Sequence, residues 1–290
     1  MPRWMIRIFL SQARRLRNGW WITAFLIVLA SLLFPAIMAS AHWDRPLAMP
    51  EQALIILIAT MAIQKLRRRP VFEVVGRLDR RWSAQLALGA VLGAALMAAP
   101  ALFLTLKGWV HWEAVFADPP ALWSAVALMT AAAAAEELLF RGLLFQRLID
   151  GVGVWPAQIL ISLLFFLTHM GNPGMEGSIR LLAGANIFLA SILFGLAYVR
   201  TRSLALPFGL HLSANLTQGV VLGFGVSGAA EPSLLTPLFR IERDWLTGGA
   251  FGLEGSLPGL IAVIVLLAAL AVAGRGKSTL PYSPASRIAP

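Results

Sequence analysis

ALWSAVALMTAAAAAEELLFRGLLFQRLI, residues 121–149, is a predominantly apolar stretch carrying two adjacent carboxylates, Glu136 and Glu137, and Arg141 one helical turn later. It is long enough to cross a bilayer, whose hydrocarbon core takes about 20 residues of helix. A carboxylate in the middle of such a helix costs roughly 2.5–3.5 kcal/mol on insertion scales, so two side by side mark a place where charge is used.

Seven further apolar runs surround this one. They are Trp20 to Ala41, Pro50 to Gln64, Ser83 to Leu106, Val154 to His169, Leu181 to Val199, Leu204 to Val226 and Leu257 to Gly274. Composition agrees with a membrane protein: 58% of the 290 residues are apolar and 13% charged, against about 25% charged in a soluble domain. The expected fold is all-α, a polytopic membrane helical bundle of about eight transmembrane helices. The net charge of +10 does not point to nucleic acid, because the basic residues lie between apolar runs rather than on one soluble face. The absence of cysteine removes disulfides, thiolate metal sites and a cysteine nucleophile.

Charge orients the spans. With both termini cytoplasmic, 18 of the 24 basic residues fall inside, five (Arg45, Lys107, Arg180, Arg240, Arg243) fall outside, and Arg141 lies within the membrane, as the positive-inside rule requires. Seven spans would spoil that asymmetry. Ala39-Ser40-Ala41 after a basic start resembles a signal-peptide cleavage site, but the apolar run is long for one and its removal would reverse the parity, so a retained helix is expected. Three regions follow: a basic segment with three helices (1–120), a core (121–226), and an outer loop, last helix and polar tail (227–290). The tail GRGKSTLPYSPASRIAP reads as disordered, and Val71 to Arg81 as a cytoplasmic segment against anionic lipid. The expected localisation is an integral multi-pass membrane protein, in the plasma (inner) membrane if the source is bacterial, with a monomer as default.

The fourth and fifth spans meet at a tight turn around Asp150-Gly151-Val152-Gly153, which predicts an antiparallel hairpin. Glu136 precedes the turn centre, and His169 follows it, by 16 to 17 residues, about 25 Å along each helix at 1.5 Å per residue. The two side chains are thus expected at matching depth. Glu137 and Arg141 stack at four-residue spacing, while Glu136 is rotated by about 100°. On this reading Arg141 holds Glu137, and Glu136 faces the histidines as a general base. The alternative is a buried Glu-Glu-Arg cluster that staples helices. His42 and His111 each precede a tryptophan in an outer loop and read as interfacial. His169 ends Phe165-Phe166-Leu167-Thr168-His169; it could be a core histidine packed on Phe165. His211 and Asn215 share a helical face, and their side chains can donate to an oxyanion, although an asparagine in a span also serves as helix-helix glue. Gly89 and Gly93 would allow close helix approach. Water has to reach the site, and a cavity open to the cytoplasm between the fourth, fifth and seventh spans is expected.

Taken in order, Glu136-Glu137-x-x-x-Arg141, Phe165-x-x-x-His169 and His211-x-x-x-Asn215 resemble the motifs of the CPBP family, the intramembrane proteases of CAAX-protease and bacteriocin-processing type, also called the abortive-infection family. The resemblance covers roughly Ala121 to Val226. It implies an intramembrane endopeptidase acting on membrane-associated substrates, prenylated CAAX-type proteins or peptide precursors. Glu136 would be the principal acid/base and His169 its partner on the attacking water. His211 and Asn215 would bind the oxyanion, and Glu137 and Arg141 would organise the site. Both metal-dependent and metal-free mechanisms are attached to the family. Glu136, His169 and His211 would be the ligands of a catalytic zinc, but no H-E-x-x-H pair pre-assembles two of them, which tilts the reading to metal-free water activation. The partners implied are the lipid bilayer and a peptide or membrane-protein substrate. Two other classes fit the same residues: a non-catalytic membrane scaffold keeping the protease fold, and a proton-coupled transporter, for which neither an inverted repeat nor broken helices are apparent.

Overall fold

The computed structural model of the protein describes residue 9 and residues 16–115 and 118–273. The expected cytoplasmic tail and the first arginines lie outside the described residues. The chain is a helical membrane bundle: α1 (Asn18–His42), α2 (Met49–Leu66), short α3 (Phe72–Val75), α4 (Arg80–Leu106), α5 (Pro119–Phe140), α6 (Leu143–Val152), α7 (Val154–His169), α8 (Gly177–Thr201), α9 (Ala205–Asn215), short α10 (Asp244–Thr247) and α11 (Leu257–Ala273). By length and composition α1, α2, α4, the combined stretch 119–152 and residues 179–201 can each cross a membrane; α7 and α11 are shorter apolar helices.

The fourth span is not one helix. Its α-helical ladder ends where the Arg141 N–H donates to the Glu137 carbonyl at 2.9 Å, and Gly142 then turns the chain with ψ −136°. A Cβ on Gly142 would lie 2.0 Å from the Leu138 carbonyl oxygen, so only glycine fits the break. The freed Arg141 carbonyl accepts from the Gln146 side chain at 3.3 Å, and the same amide donates to the Val74 carbonyl at 2.9 Å. A break in a membrane helix is tolerated where side chains satisfy the released backbone groups in this way. The expected hairpin turn forms with Gly153 in the left-handed region at φ 90°.

The seventh span is also shorter than its apolar run suggests. Its α-helix passes into a π-helical stretch at Leu216–Val221, and the chain leaves the helix at Gly223, φ 69°, where a Cβ would meet the Leu235 carbonyl oxygen at 1.9 Å. Two antiparallel strands, β1 (Val110–Ala114) and β2 (Leu235–Phe239), pair Val110 with Phe239 and Ala114 with Leu235. Their alternation is too short to stand out among apolar helices.

Two large hydrophobic clusters hold the bundle, beside a smaller one of Ala125, Met129, Val220 and Val226. One joins α1, α2, α5, α6 and α7 through residues such as Phe25, Ile63, Phe140 and Phe145; the other joins α4, α8, α9 and α11 through Leu104, Leu193, Leu210 and Val263. Helices α4 and α9 touch backbone to backbone. A Cβ on Gly93 would sit 2.1 Å from the Leu210 carbonyl oxygen, and one on Gly209 2.3 Å from that of Leu86. Small residues let helices approach so closely where no hydrophobic drive separates protein from lipid.

At the basic end of the bundle α3 ties these parts together. The Val75 carbonyl accepts from the Leu204 N–H at 3.2 Å and from the Trp82 indole at 3.2 Å, while Val74 takes the Gln146 amide. At the opposite end the β1/β2 ladder and the 223–256 loop form a cover. There the Gly228 N–H donates to the Phe251 carbonyl at 3.2 Å.

Candidate active site

The site lies between the two hydrophobic clusters, where a cavity of about 500 Å³ is lined from α2, α4, α5, α7, α8 and α9 and from the loop 226–254. Glu136 projects into it from α5, one turn before the break. Its Oε1 is 4.0 Å from His169 Nε2, at the end of α7, and its Oε2 is 3.7 Å from His211 Nε2 on α9. The hairpin thus brings Glu136 and His169 to the same depth, as the residue count predicts. Glu136 Oε2 is buried and has no hydrogen-bond partner among the described residues.

Each imidazole is fixed through its other nitrogen. His169 Nδ1 lies 2.7 Å from the Phe165 carbonyl oxygen. That contact requires an Nδ1–H donor and directs Nε2 at Glu136. The Phe165 ring packs against the imidazole at 4.4 Å between centroids. His211 Nδ1 donates to Glu137 Oε1 at 2.9 Å, and its ring stacks on Phe194 at 4.8 Å with 12° between planes. Asn215, one turn beyond His211, is 8% exposed and lines the cavity.

Behind these groups Arg141 is wholly buried. It donates to Glu137 Oε1 at 3.3 Å and, from Nη2, to the carbonyl and hydroxyl oxygens of Ser191 at 3.1 and 2.9 Å. Its guanidinium carbon lies 4.8 Å from the centroid of Phe165 and 5.1 Å from that of Phe194, where the ring faces favour a cation. A buried pair of this kind persists only with such additional partners.

The sequence reading assigns the histidines to Glu136 and the arginine to Glu137. The structure differs on one point: His211 meets both carboxylates, because a 100° offset leaves both glutamates on one half of the helix. Glu136, His169 and His211, the residues that would hold a catalytic zinc, converge on one another. His169 addresses one oxygen of Glu136 and His211 the other, and no three His, Cys, Asp or Glu side chains among the described residues are disposed to hold a metal ion. The cavity rim is made by Asn172, Pro173, Ser227, Ala229 and Glu231, all at the end opposite the basic loops 65–81 and 200–204. The 223–256 loop contributes Val226, Ser227, Ala229, Glu231 and Glu254 to this lining, while at the other end Val74 is buried and its carbonyl takes the Gln146 amide. Ser191, Phe194 and Gln146 hold the site without any motif that would announce them. Glu254 and Ser227 lie in a loop where a lone acid and a serine carry no signal.

This geometry falls within a recognisable stretch of chain. Residues 118–217 match the family model for type II CAAX prenyl endopeptidases, Rce1-like. The match is consistent with the CPBP resemblance and supports an intramembrane endopeptidase in general. The Rce1-like region runs from the start of α5 to just past Asn215, and so contains Glu136, Glu137, Arg141, His169, His211 and Asn215. Helices α1, α2, α4 and α11 and the 223–256 loop lie outside the Rce1-like match. No curated protein matches the chain.

Proposed function

We propose that the protein is an intramembrane endopeptidase that hydrolyses peptide bonds of membrane-associated substrates with water activated by Glu136. The observation that carries this reading is the convergence of two Nε2 atoms on the two oxygens of Glu136, at 4.0 and 3.7 Å. These separations are too long for direct hydrogen bonds and leave room for a reacting oxygen between the groups. Glu136 takes a proton from water as its oxygen attacks the carbonyl carbon, and later returns that proton to the leaving nitrogen. General acid–base work of this kind supplies about 10²–10⁴-fold in rate.

The oxyanion that forms is received by His211, as imidazolium, and Asn215. Glu137 accepts from His211 Nδ1 and is itself held by Arg141. A single oxyanion donor is worth about 10²–10³-fold in kcat. His169, its tautomer set by the Phe165 carbonyl, orients the water. The positive-inside balance supports both termini in the cytoplasm, so the cavity rim faces the other side of the membrane.

The test is cleavage of a panel of membrane-associated peptides, prenylated and not, by purified protein in lipid. Wild type is expected to cleave and Glu136→Ala to be inactive, with and without chelator. Chelator-sensitive cleavage restored by zinc would replace this mechanism with a metal one. No cleavage by wild type, together with Glu136→Ala still rescuing a deletion strain, would point to a scaffold.

A further inference from the structure

Three carboxylates line the cavity, Glu136, Glu231 and Glu254, and among the described lining residues there is no lysine or arginine. Arg141 is 0% exposed and engaged by Glu137 and Ser191, and so is no partner for the loop acids Glu231 and Glu254. Glu254 is firmly placed. Its Oε2 accepts from the Ser227 N–H at 3.1 Å and hydroxyl at 2.8 Å, while Oε1 takes no hydrogen bond among the described residues. Burial pushes its carboxyl above the usual range, opposed by the Ser227 hydroxyl and by the imidazoles of His169 and His211. No lysine or arginine among the described lining residues adds to those imidazoles.

An independent observation comes from α8. Asn186 is 2% exposed, lines the same cavity, and its Nδ2 has no hydrogen-bond partner among the described residues. Burying an amide unsatisfied is costly, and a ligand carbonyl would remove the cost. Asn186 lies eight residues, about 12 Å of helix, above Phe194, on whose ring His211 stacks. It lies seven residues below Ile179, the residue against which Gly255 packs. Glu231 and Glu254 thus line the cavity from the loop 226–254, Asn186 from α8, and the imidazoles from α7 and α9. An extended peptide advances about 3.3 Å per residue. A strand entering from the mouth would pass Asn186 with its main chain and set a side chain a few residues from the scissile bond beside Glu254.

We infer that Glu254, with Glu231 at the rim, is a specificity-determining residue that receives a cationic group of the substrate, a lysine or arginine side chain or a free amino terminus, while Asn186 holds a main-chain carbonyl of the same strand. This inference rests on the endopeptidase reading.

Binding measured apart from turnover tests it. The full chain carrying Glu136→Gln, in lipid nanodiscs, is titrated with fluorescent apolar peptides that differ only in a lysine, glutamine or glutamate scanned along the strand. One set is N-acetylated. A second set has a free amino terminus and no lysine. Fluorescence anisotropy is expected to give about tenfold tighter binding for the cationic peptide than for the neutral one, and weaker binding still for the acidic one. Adding Glu254→Gln should compress the series to within about twofold, whereas adding Asn186→Ala should weaken all members alike. The set that binds tightly identifies the source of the cation. Equal binding of the three charges with Glu254 intact would overturn the inference, and so would a preference that survives Glu254→Gln in a chain with an unchanged unfolding midpoint. Charge-selective binding without cleavage by the wild-type chain would remove the endopeptidase reading and leave the subsite standing.

Discussion

His211 sits between two carboxylates that do different work: Glu137 on Nδ1 is a buried partner tied to Arg141, and Glu136 across from Nε2 is partly open to the cavity. Substitutions should separate them. Glu136→Gln is expected to abolish cleavage with a near wild-type unfolding midpoint, because its oxygens make no hydrogen bond that the fold depends on. Glu137→Gln leaves the buried guanidinium of Arg141 without a counter-charge. Breaking such a pair costs about 3–5 kcal/mol when one partner is removed outright, so this variant should lose both midpoint and activity. Thermal unfolding in detergent beside a cleavage assay checks this, and equal destabilisation by the two variants would contradict the division. The acids, histidines and Asn215 were legible in the sequence because ionisable residues in an apolar run are rare. Ser191 and Phe194 were not, because a serine and a phenylalanine in a membrane helix are ordinary until the fold sets them against Arg141 and His211.

Helix breaks and close approaches place these side chains, and two glycines show how. Gly142→Ala puts a methyl group about where the Leu138 carbonyl oxygen stands. The chain then either straightens through Arg141 or distorts, and both outcomes move the guanidinium away from Ser191. A loss of activity of at least about tenfold is expected, since misplacement by 1 Å can cost about 10² in rate; wild-type cleavage by this variant would show that the break is incidental. Apolar length revealed the spans themselves, whereas the break, the π-helical end of α9 and the β1/β2 ladder stayed hidden. Hydropathy averages over a window and does not register where one backbone group is handed to a side chain. The close contact of α4 with α9 was legible as a possibility from Gly89 and Gly93, but its partner glycine, Gly209, became apparent only in the fold.

For the whole molecule, the cavity rim and the basic loops lie at opposite ends, which fixes the side of substrate entry once the orientation is measured. The chain has no cysteine, so single cysteines report without background. Ala229→Cys at the rim is expected to react with a membrane-impermeant maleimide in intact cells, and Arg77→Cys only after permeabilisation. The reverse pattern would turn the protein over and bring the cavity to the cytoplasm. The α3 knot at the basic end bears on how the molecule is made. Its carbonyls at Val74 and Val75 are synthesised early, yet their partners Trp82, Gln146 and Leu204 leave the ribosome one after another, and His211 emerges after all three. A nascent chain therefore carries Glu136 without the His211 imidazole while the next 75 residues (211 − 136) are made, and so remains inert toward its neighbours until the seventh span is inserted.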